Sequence, residues 1–274
     1  MRLRSRRADR GPASALSVTS TGTQMLVELT GVGLRYPTWP PLQALQDISF
    51  KMERGSFVSL IGPSGCGKST LLRIVAGILE PTDGTVQVEG NSPLEAQRAH
   101  RFGFVFQDPV LLPWRCVQDN VELLAELVGQ PAAERRVRSL ELLTLVGLAG
   151  RESLRPAQLS GGMRQRVAIA RALAIEPSIL LMDEPFSALD EFQREVLNGE
   201  LLRIWQEQQN SVLFVTHNIE EAVFLSDTVY VMSESPGRIV ERVEIELPRP
   251  RTGEMRLMPE FLQLRRHLRE VLVH

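Results

Sequence analysis

The residues with the plainest chemical purpose are Gly62, Pro63, Ser64, Gly65, Cys66, Gly67, Lys68, Ser69 and Thr70. They fit G-x-x-x-x-G-K-[ST], and they lie between the apolar run Phe57–Ile61 and a segment of helical periodicity. Glycines at 62, 65 and 67 let the backbone curl until its N–H groups point at phosphate oxygens. The helix that follows turns its positive end on the same oxygens. Lys68 supplies a point charge for the β- and γ-phosphates, and Ser69 a hydroxyl for Mg2+. Cys66 reads as a small loop residue rather than a nucleophile. A loop of this kind serves kinases, GTPases and ATPases alike, so the choice among them needs further residues.

Ile179–Met182 is an apolar strand that runs into Asp183 and Glu184. Carboxylates there sit at the carboxyl edge of a sheet, where nucleotides bind in open α/β folds. Consecutive strand side chains diverge, so the two have separate tasks. Asp183 can face a Mg2+ shell, while Glu184 can reach an attacking water as general base. Ser160, Gly161 and Gly162 precede a helix carrying Val167, Ile169, Ala170 and Leu173. Ser160 is an N-cap candidate, and the glycine N–H groups form a second anion site. Taken alone, that turn reads more readily as a plain capped helix.

The wider string changes this. Leu159-Ser-Gly-Gly-Met-Arg-Gln165, just upstream of Ile179-Leu-Leu-Met-Asp-Glu-Pro185, resembles the signature motif of ABC ATPases. Other pieces follow in that family's order over about residues 26 to 245. Tyr36 resembles the aromatic that stacks on adenine, and Gln107 the Q-loop glutamine. Ser187–Asp190 resembles the D-loop, and His217 the switch histidine. The resemblance implies ATP and Mg2+ as ligands, with Glu184, His217 and Lys68 catalytic and Ser69, Gln107 and Asp183 around the metal. It implies nucleotide contacts from Tyr36, residues 62–70, Gln107, Ser160–Gly162 and Asp190. It implies a homodimer in which Ser160–Gly162 of one copy completes the ATP held by Lys68 of the other. One departure is Met163, where the commonest signature has Gln. The donors there would be Ser160 and backbone N–H groups, so little catalytic consequence is expected.

The resemblance also implies two transmembrane permease subunits. The apolar stretch Gln107–Trp114, with Leu112 and Trp114 as anchors, is the expected dock. Leu111-Leu-Pro-Trp-Arg115, Met163 and the stretch from Met232 to Ile239 are similar to the nitrate/sulfonate/taurine importers. That subfamily implies a small anionic solute, a periplasmic or extracellular solute-binding protein, and a place on the cytoplasmic face of the inner membrane. The rival reading is a soluble ABC ATPase of DNA repair or translation. Those generally carry long coiled-coil inserts or two cassettes, and this chain shows one cassette and no long heptad run.

The elements that must position these residues follow from pattern. The chain has 274 residues, 43% of them hydrophobic, with a formal net charge of −2. Its mean hydropathy is −0.06. Such balance gives no electrostatic bias toward nucleic acid, and none is expected as a partner. The longest apolar runs are four residues, such as Val212–Val215, against about 18–20 for a membrane span. Cys66 and Cys116 make no disulfide framework. Strand patterns fall at Leu26–Leu29, Val32–Tyr36, Ile48–Met52, Phe57–Ile61, Thr85–Val88, Phe102–Phe106, Ser178–Met182, Ser211–Thr216 and Thr228–Met232, with a last one around Val243 and Ile245. Helical spacing covers Leu71 to Ile78, stopping near Pro81–Gly84, then Phe192–Glu207, Ile219–Leu225 and Glu260–Leu272. Between Asp119 and Gly147 two stripes, Val121/Leu124/Val128 and Val137/Leu140/Leu143/Val146, predict a helical insert.

The expected fold is an α/β P-loop NTPase of the ABC type. It combines an N-terminal antiparallel β lobe, a mostly parallel sheet core and a helical subdomain at about 108–175. Residues 1–24 read as a disordered basic tail, 25–247 as the ATPase domain, and 248–274 as a short tail with a helix.

Overall fold

The computed structural model describes residues 24–273. The expectation of a disordered tail over 1–24 lies almost wholly outside them. The elements run β1 (Met25–Tyr36), β2 (Leu42–Glu53), β3 (Phe57–Ile61), α1 (Lys68–Val75), β4 (Asp83–Val88), α2 (Pro93–Arg98), β5 (Phe102–Val105), α3 (Val117–Leu127), α4 (Ala132–Leu145), α5 (Gly161–Leu173), β6 (Ile179–Asp183), α6 (Glu191–Gln208), β7 (Ser211–Thr216), α7 (Ile219–Leu225), β8 (Thr228–Met232), β9 (Ile239–Glu244) and α8 (Pro259–Val273).

The strands make two sheets. One is antiparallel, in the order β2-β1-β4; the other has six strands in the order β5-β6-β7-β3-β8-β9. In the larger sheet β5, β6, β7, β3 and β8 are mutually parallel, and β9 alone runs antiparallel to its neighbour. The pleat explains why its central strands are apolar on both faces, with few polar residues such as Ser59 between them. Phe57, Ile61, Leu180, Met182, Val212 and Phe214 face a core shared with α3 to α8. Val58, Leu60, Ile179, Leu181, Leu213 and Val215 face a second core, shared with β1, β2 and α1. A sheet covered on both faces needs apolar side chains at odd and even positions alike.

The sequence patterns depart from the structure in several places. Helix α1 stops at Val75, not near Pro81. Gly77 has φ +70°, and the N–H groups of Gly77 and Ile78 return to the carbonyls of Ile74 and Arg73. This Schellman closure ends the helix one turn early and leaves Ile78 half exposed. On α4 the buried residues are Ser139, Leu142 and Leu143, while Val137 and Leu140 are exposed. The stripe read from period alone is therefore rotated from the one that packs. Strand β9 begins at Ile239, earlier than the Val243–Ile245 pattern suggested, because it pairs with β8 along most of its length. Helix α2 was not foreseen, although Ser92 and Glu95 form a complete capping box with Pro93 at the first helical position.

The residues after 247 pack on the body. Phe261 and Leu268 of α8 are fully buried, each contributing about 1.5–3 kcal/mol of apolar burial. Arg251 is buried and donates to the carbonyls of Val223, Phe224, Ser226, Ile245 and Leu247. Arg249 forks onto Asp227 and lies 4.2 Å over the Trp205 ring. Trp205 in turn meets Phe57 edge-on, so it packs its helix against the sheet.

Candidate functional site

The phosphate loop joins the central strand β3 to α1, with β7 and β8 on either side of that strand. Gly65 and Gly67 adopt φ of +79° and +104°, which side chains rarely tolerate. A Cβ on Gly67 would also stand 2.6 Å from Leu45 Cδ2, and one on Gly62 2.9 Å from Cys66 Sγ and Met232 O. The loop is therefore drawn tight by packing from below, while Ser64 and Gly65 stay exposed. Helix α1 has Gly67 as its N-cap with no side-chain cap. Leu71 N–H is the first to bond back, to Gly67 O. The N–H groups before it remain for a ligand. Lys68 is only 4% exposed, and its Nζ lies 2.8 Å from the carbonyls of both Gly62 and Pro63. Burial pushes the Cys66 thiol up despite the nearby Lys68 charge, which keeps it protonated and unreactive.

Two strands away, β6 delivers the carboxylates. Asp183 Oδ1 accepts from Ser69 Oγ at 2.7 Å. Burial pushes the Asp183 carboxyl up from its ordinary value; the Ser69 hydrogen bond and Arg73 oppose this, and Glu184 adds to it. Glu184 leaves the strand at φ +44°, a strained conformation for a residue with a Cβ that costs on the order of 1–3 kcal/mol. That turn separates its carboxylate from Asp183 and sets Oε2 2.9 Å from His217 Nδ1. Gln107 Nε2 donates to Ser187 Oγ at 3.1 Å, and Ser187 Oγ donates to Glu184 O at 3.0 Å. Three loops thus meet around Glu184. Gln107 bonds to Ser187, not to the Ser69–Asp183 pair with which the resemblance groups it. Thr70 is half-buried in the first turn of α1. Tyr36 ends β1 opposite Leu42, half-buried, on the hairpin whose Leu45 meets Gly67.

Ser160 caps α5, accepting from Met163 N–H. The atoms nearest the Cβ positions of Gly161 and Gly162 belong to Leu189, Gln193 and Leu197, in or after the D-loop. A cleft lined by Gln107, Gly161, Gln165 and Leu189 runs alongside and contains no residue of 62–70. The chain's own phosphate loop and signature turn are thus separate features. Asp190 caps α6 through Gln193 N–H.

Several positioning residues escaped the sequence reading. Arg171, buried in α5, donates to Val110 O and Pro109 O at 2.8 and 2.7 Å. Asn120, buried in α3, holds Leu112 through both its N–H and its carbonyl, and donates also to the carbonyls of Arg115 and Cys116. Together they fix the loop from Pro109 to Cys116, in which Trp114 is 68% exposed. A charged residue inside the buried run Val167–Leu173 was the available signal for Arg171; Asn120 gave none.

Comparison with known proteins agrees with this geometry. Residues 45–187 match the family model described as ABC transporter. A taurine import ATP-binding protein of Yersinia pseudotuberculosis is 44% identical over 260 residues, covering 90% of this chain and all of the relative. An uncharacterized ABC transporter ATP-binding protein of Methanocaldococcus jannaschii is 48% identical over 231 residues, 84% of this chain and 85% of the relative. Among solved structures, a dimeric ATP-binding cassette in a post-hydrolysis state bound to ADP and Pi matches with TM-score 0.72 at 34% identity, covering 81% of this chain and all of that one. The cbiO1 protein of Clostridium perfringens, part of the ABC transporter complex cbiONQ, matches with TM-score 0.75 at 27% identity, covering 88% and 94%. With a phosphate loop, an acidic strand end and a signature turn in one α/β frame, the chain belongs to the ABC transporter family as an ATP-binding subunit and ATPase, resembling the nitrate/sulfonate/taurine type.

Proposed function

We propose that this subunit drives uptake of a small anion, a sulfonate such as taurine or a nitrate-like solute, by closing and reopening a pair of its own copies around two ATP molecules. The observation that carries the pairing is the separation of the two anion sites. Ser160–Gly162 offers N–H groups and a hydroxyl, and its close neighbours come from the D-loop and α6 rather than from residues 62–70. A second copy arranged head to tail supplies what each site lacks. The γ-phosphate then bridges two positive sites, and its loss on hydrolysis releases them.

In this reading Lys68 moves from the Gly62 and Pro63 carbonyls to the β- and γ-phosphates. Residues 62–70 and the first turn of α1 cradle the phosphates, and Tyr36 stacks on adenine. Glu184 takes the proton of the attacking water, while His217 holds Glu184 in place and reaches the γ-phosphate. Asp190 and Ser187 approach the partner copy's nucleotide. Ser69 Oγ and Asp183 Oδ1, 2.7 Å apart and both hard oxygen donors, would suit Mg2+, and Gln107, now bonded to Ser187, would be the third residue to hold it. Among the described residues no group of three or more His, Cys, Asp or Glu could hold a metal alone. Such an ion therefore depends on phosphate oxygens, and when bound it neutralises charge developing on them.

The unit at about 108–175 acts as the arm toward the membrane. The exposed Trp114, with Leu112 behind it, is the dock for a permease helix. An adjoining groove lined by Phe104, Phe106, Val110, Leu124 and Leu127 extends the apolar surface. No helix among the described residues is long and apolar enough to cross a membrane, so two permease subunits supply the path and a solute-binding protein delivers the solute. The ATPase works at the cytoplasmic face of that membrane.

The decisive experiment uses Glu184→Gln. With Mg-ATP it is expected to run as a dimer on size exclusion and to turn over about 10²–10⁴ times more slowly than the parent. A variant that stays monomeric with ATP bound defeats the pairing, and full activity removes Glu184 as base. Co-expression with the permease pair then asks whether taurine, an alkanesulfonate or nitrate stimulates ATP hydrolysis. Trp114→Ala is expected to keep the isolated ATPase intact and to lose assembly; unchanged assembly rejects the dock.

A further inference from the structure

Beneath the exposed His217 lies a buried polar chain that the reaction does not itself require. Glu221, in α7, is 5% exposed. Its Oε2 accepts from Thr216 Oγ1 at 2.5 Å, and its Oε1 stands 3.6 Å from Arg194 Nε without a hydrogen bond of its own. Thr216 Oγ1 also accepts from Asn218 N–H, and Asn218 Oδ1 accepts from the N–H groups of Glu220 and Glu221. His217 is thus the middle residue of a turn locked on both sides. At the other end, Arg194 Nη2 donates to Leu189 O at 2.9 Å, and Nε lies 3.5 Å from Phe186 O. Those two carbonyls bracket Ser187, whose hydroxyl is bonded to Glu184 O and to Gln107.

We propose that Arg194 and Glu221 are positioning residues that couple the D-loop backbone to the His217 turn, so that a D-loop shifted by the partner copy carries His217 on or off Glu184. Three observations carry this. The chain is continuous from Leu189 O through Arg194, Glu221 and Thr216 to the residue preceding His217. Its Glu221 and Thr216 end is buried and Arg194 is half-buried, a setting in which an ion pair is a poor device for stability alone. It is also loosely joined: Glu221 Oε1 meets Arg194 Nε only at 3.6 Å, which leaves room for a second arrangement of the same groups. Burial pushes the Glu221 carboxyl up, and the Thr216 hydrogen bond and Arg194 hold it down against that, so the pair depends on both ends being in place.

The inference rests on the proposed role of His217, and the test separates the two. Turnover and ATP affinity are measured on the full chain for the parent, Glu221→Gln, His217→Ala and the double variant. Glu221→Gln keeps the Thr216 bond and loses the charge. It is expected to lower kcat about 10-fold or more with the ATP Kd unchanged within about twofold, and to have less than a twofold effect on the residual rate of His217→Ala. Equal fold losses in both backgrounds overturn the coupling while leaving His217 in its role. A His217→Ala variant at parental rate overturns the histidine's role itself. Arg194→Lys keeps the charge but cannot fork onto Leu189 O and Phe186 O; an intermediate kcat with unchanged Kd is expected. Should Glu221→Gln fail to fold, Arg194→Lys is read in the same two backgrounds, and additivity there overturns the proposal equally.

Discussion

Two helix N-termini in this molecule, those of α1 and α5, start from glycine and serine, and they differ in how finished they are. The α1 end is assembled entirely within the chain. Its loop is compressed by Leu45 and Met232, its lysine is buried, and its hydroxyl is already bonded to Asp183. The α5 end is exposed at Ser160, and its cap bonds only to its own helix. One is a socket; the other, under the proposed function, is a lid for a partner copy's socket. A site divided as proposed would bind its ligand before it could react with it, because the transition-state donors would arrive with the partner copy.

The contrast can be broken by substitution at either end. The largest effect is expected from Lys68→Ala, which removes the socket's only buried cation and should cost about 10²–10³ in turnover, together with ATP affinity, in a fluorescent-nucleotide titration. If affinity survives intact, the socket is not where the triphosphate sits. Gly67→Ala comes next. Its Cβ would meet Leu45 Cδ2 at 2.6 Å, with φ at +104°, so both stability and nucleotide binding should fall, by about 1–3 kcal/mol in unfolding free energy. Ser160→Ala should separate the two ends. Losing the cap costs about 0.5–2 kcal/mol, and turnover falls while the ATP affinity of the monomer is unchanged. Weaker binding by the monomer would mean that the lid belongs to its own chain's socket.

The smallest effect is a pH dependence. Asp183 has its carboxyl raised by burial, above an ordinary value of 3.8. A group that holds its proton more tightly when folded loses stability as pH climbs past that ordinary value. Asp183→Asn removes this loss, so without nucleotide it should melt above the parent at pH 7–8, with the gap shrinking toward pH 4. A gap of constant size across that range would show that ionisation of Asp183 is not its source.

Much of the site was legible in the chain because its chemistry demands rare residue types at fixed local spacing. The phosphate loop, the Asp183–Glu184 pair and the Ser160 cap were each visible as short strings. The central strands could be read because each buries both faces and is mostly apolar. What failed was rotation and closure. The α4 stripe was misplaced because period alone does not say which face finds a neighbour. The end of α1 was missed because Gly77 acts through backbone bonds that no side-chain pattern records.

By itself, the sequence marked out a phosphate-type loop, a pair of carboxylates at a strand end and a Ser-Gly-Gly helix start as candidate ligands of a nucleotide. These are local matters of side-chain chemistry and of backbone freedom at glycine. Only the tertiary structure decided that Glu184 meets His217 rather than Asp183, that Arg171 and Asn120 hold the loop carrying Trp114, and that Arg194 and Glu221 join the D-loop to the histidine. Those pairings bring together residues far apart along the chain, and a hydrogen bond depends on separations of about 3 Å in space, which spacing along a sequence does not encode.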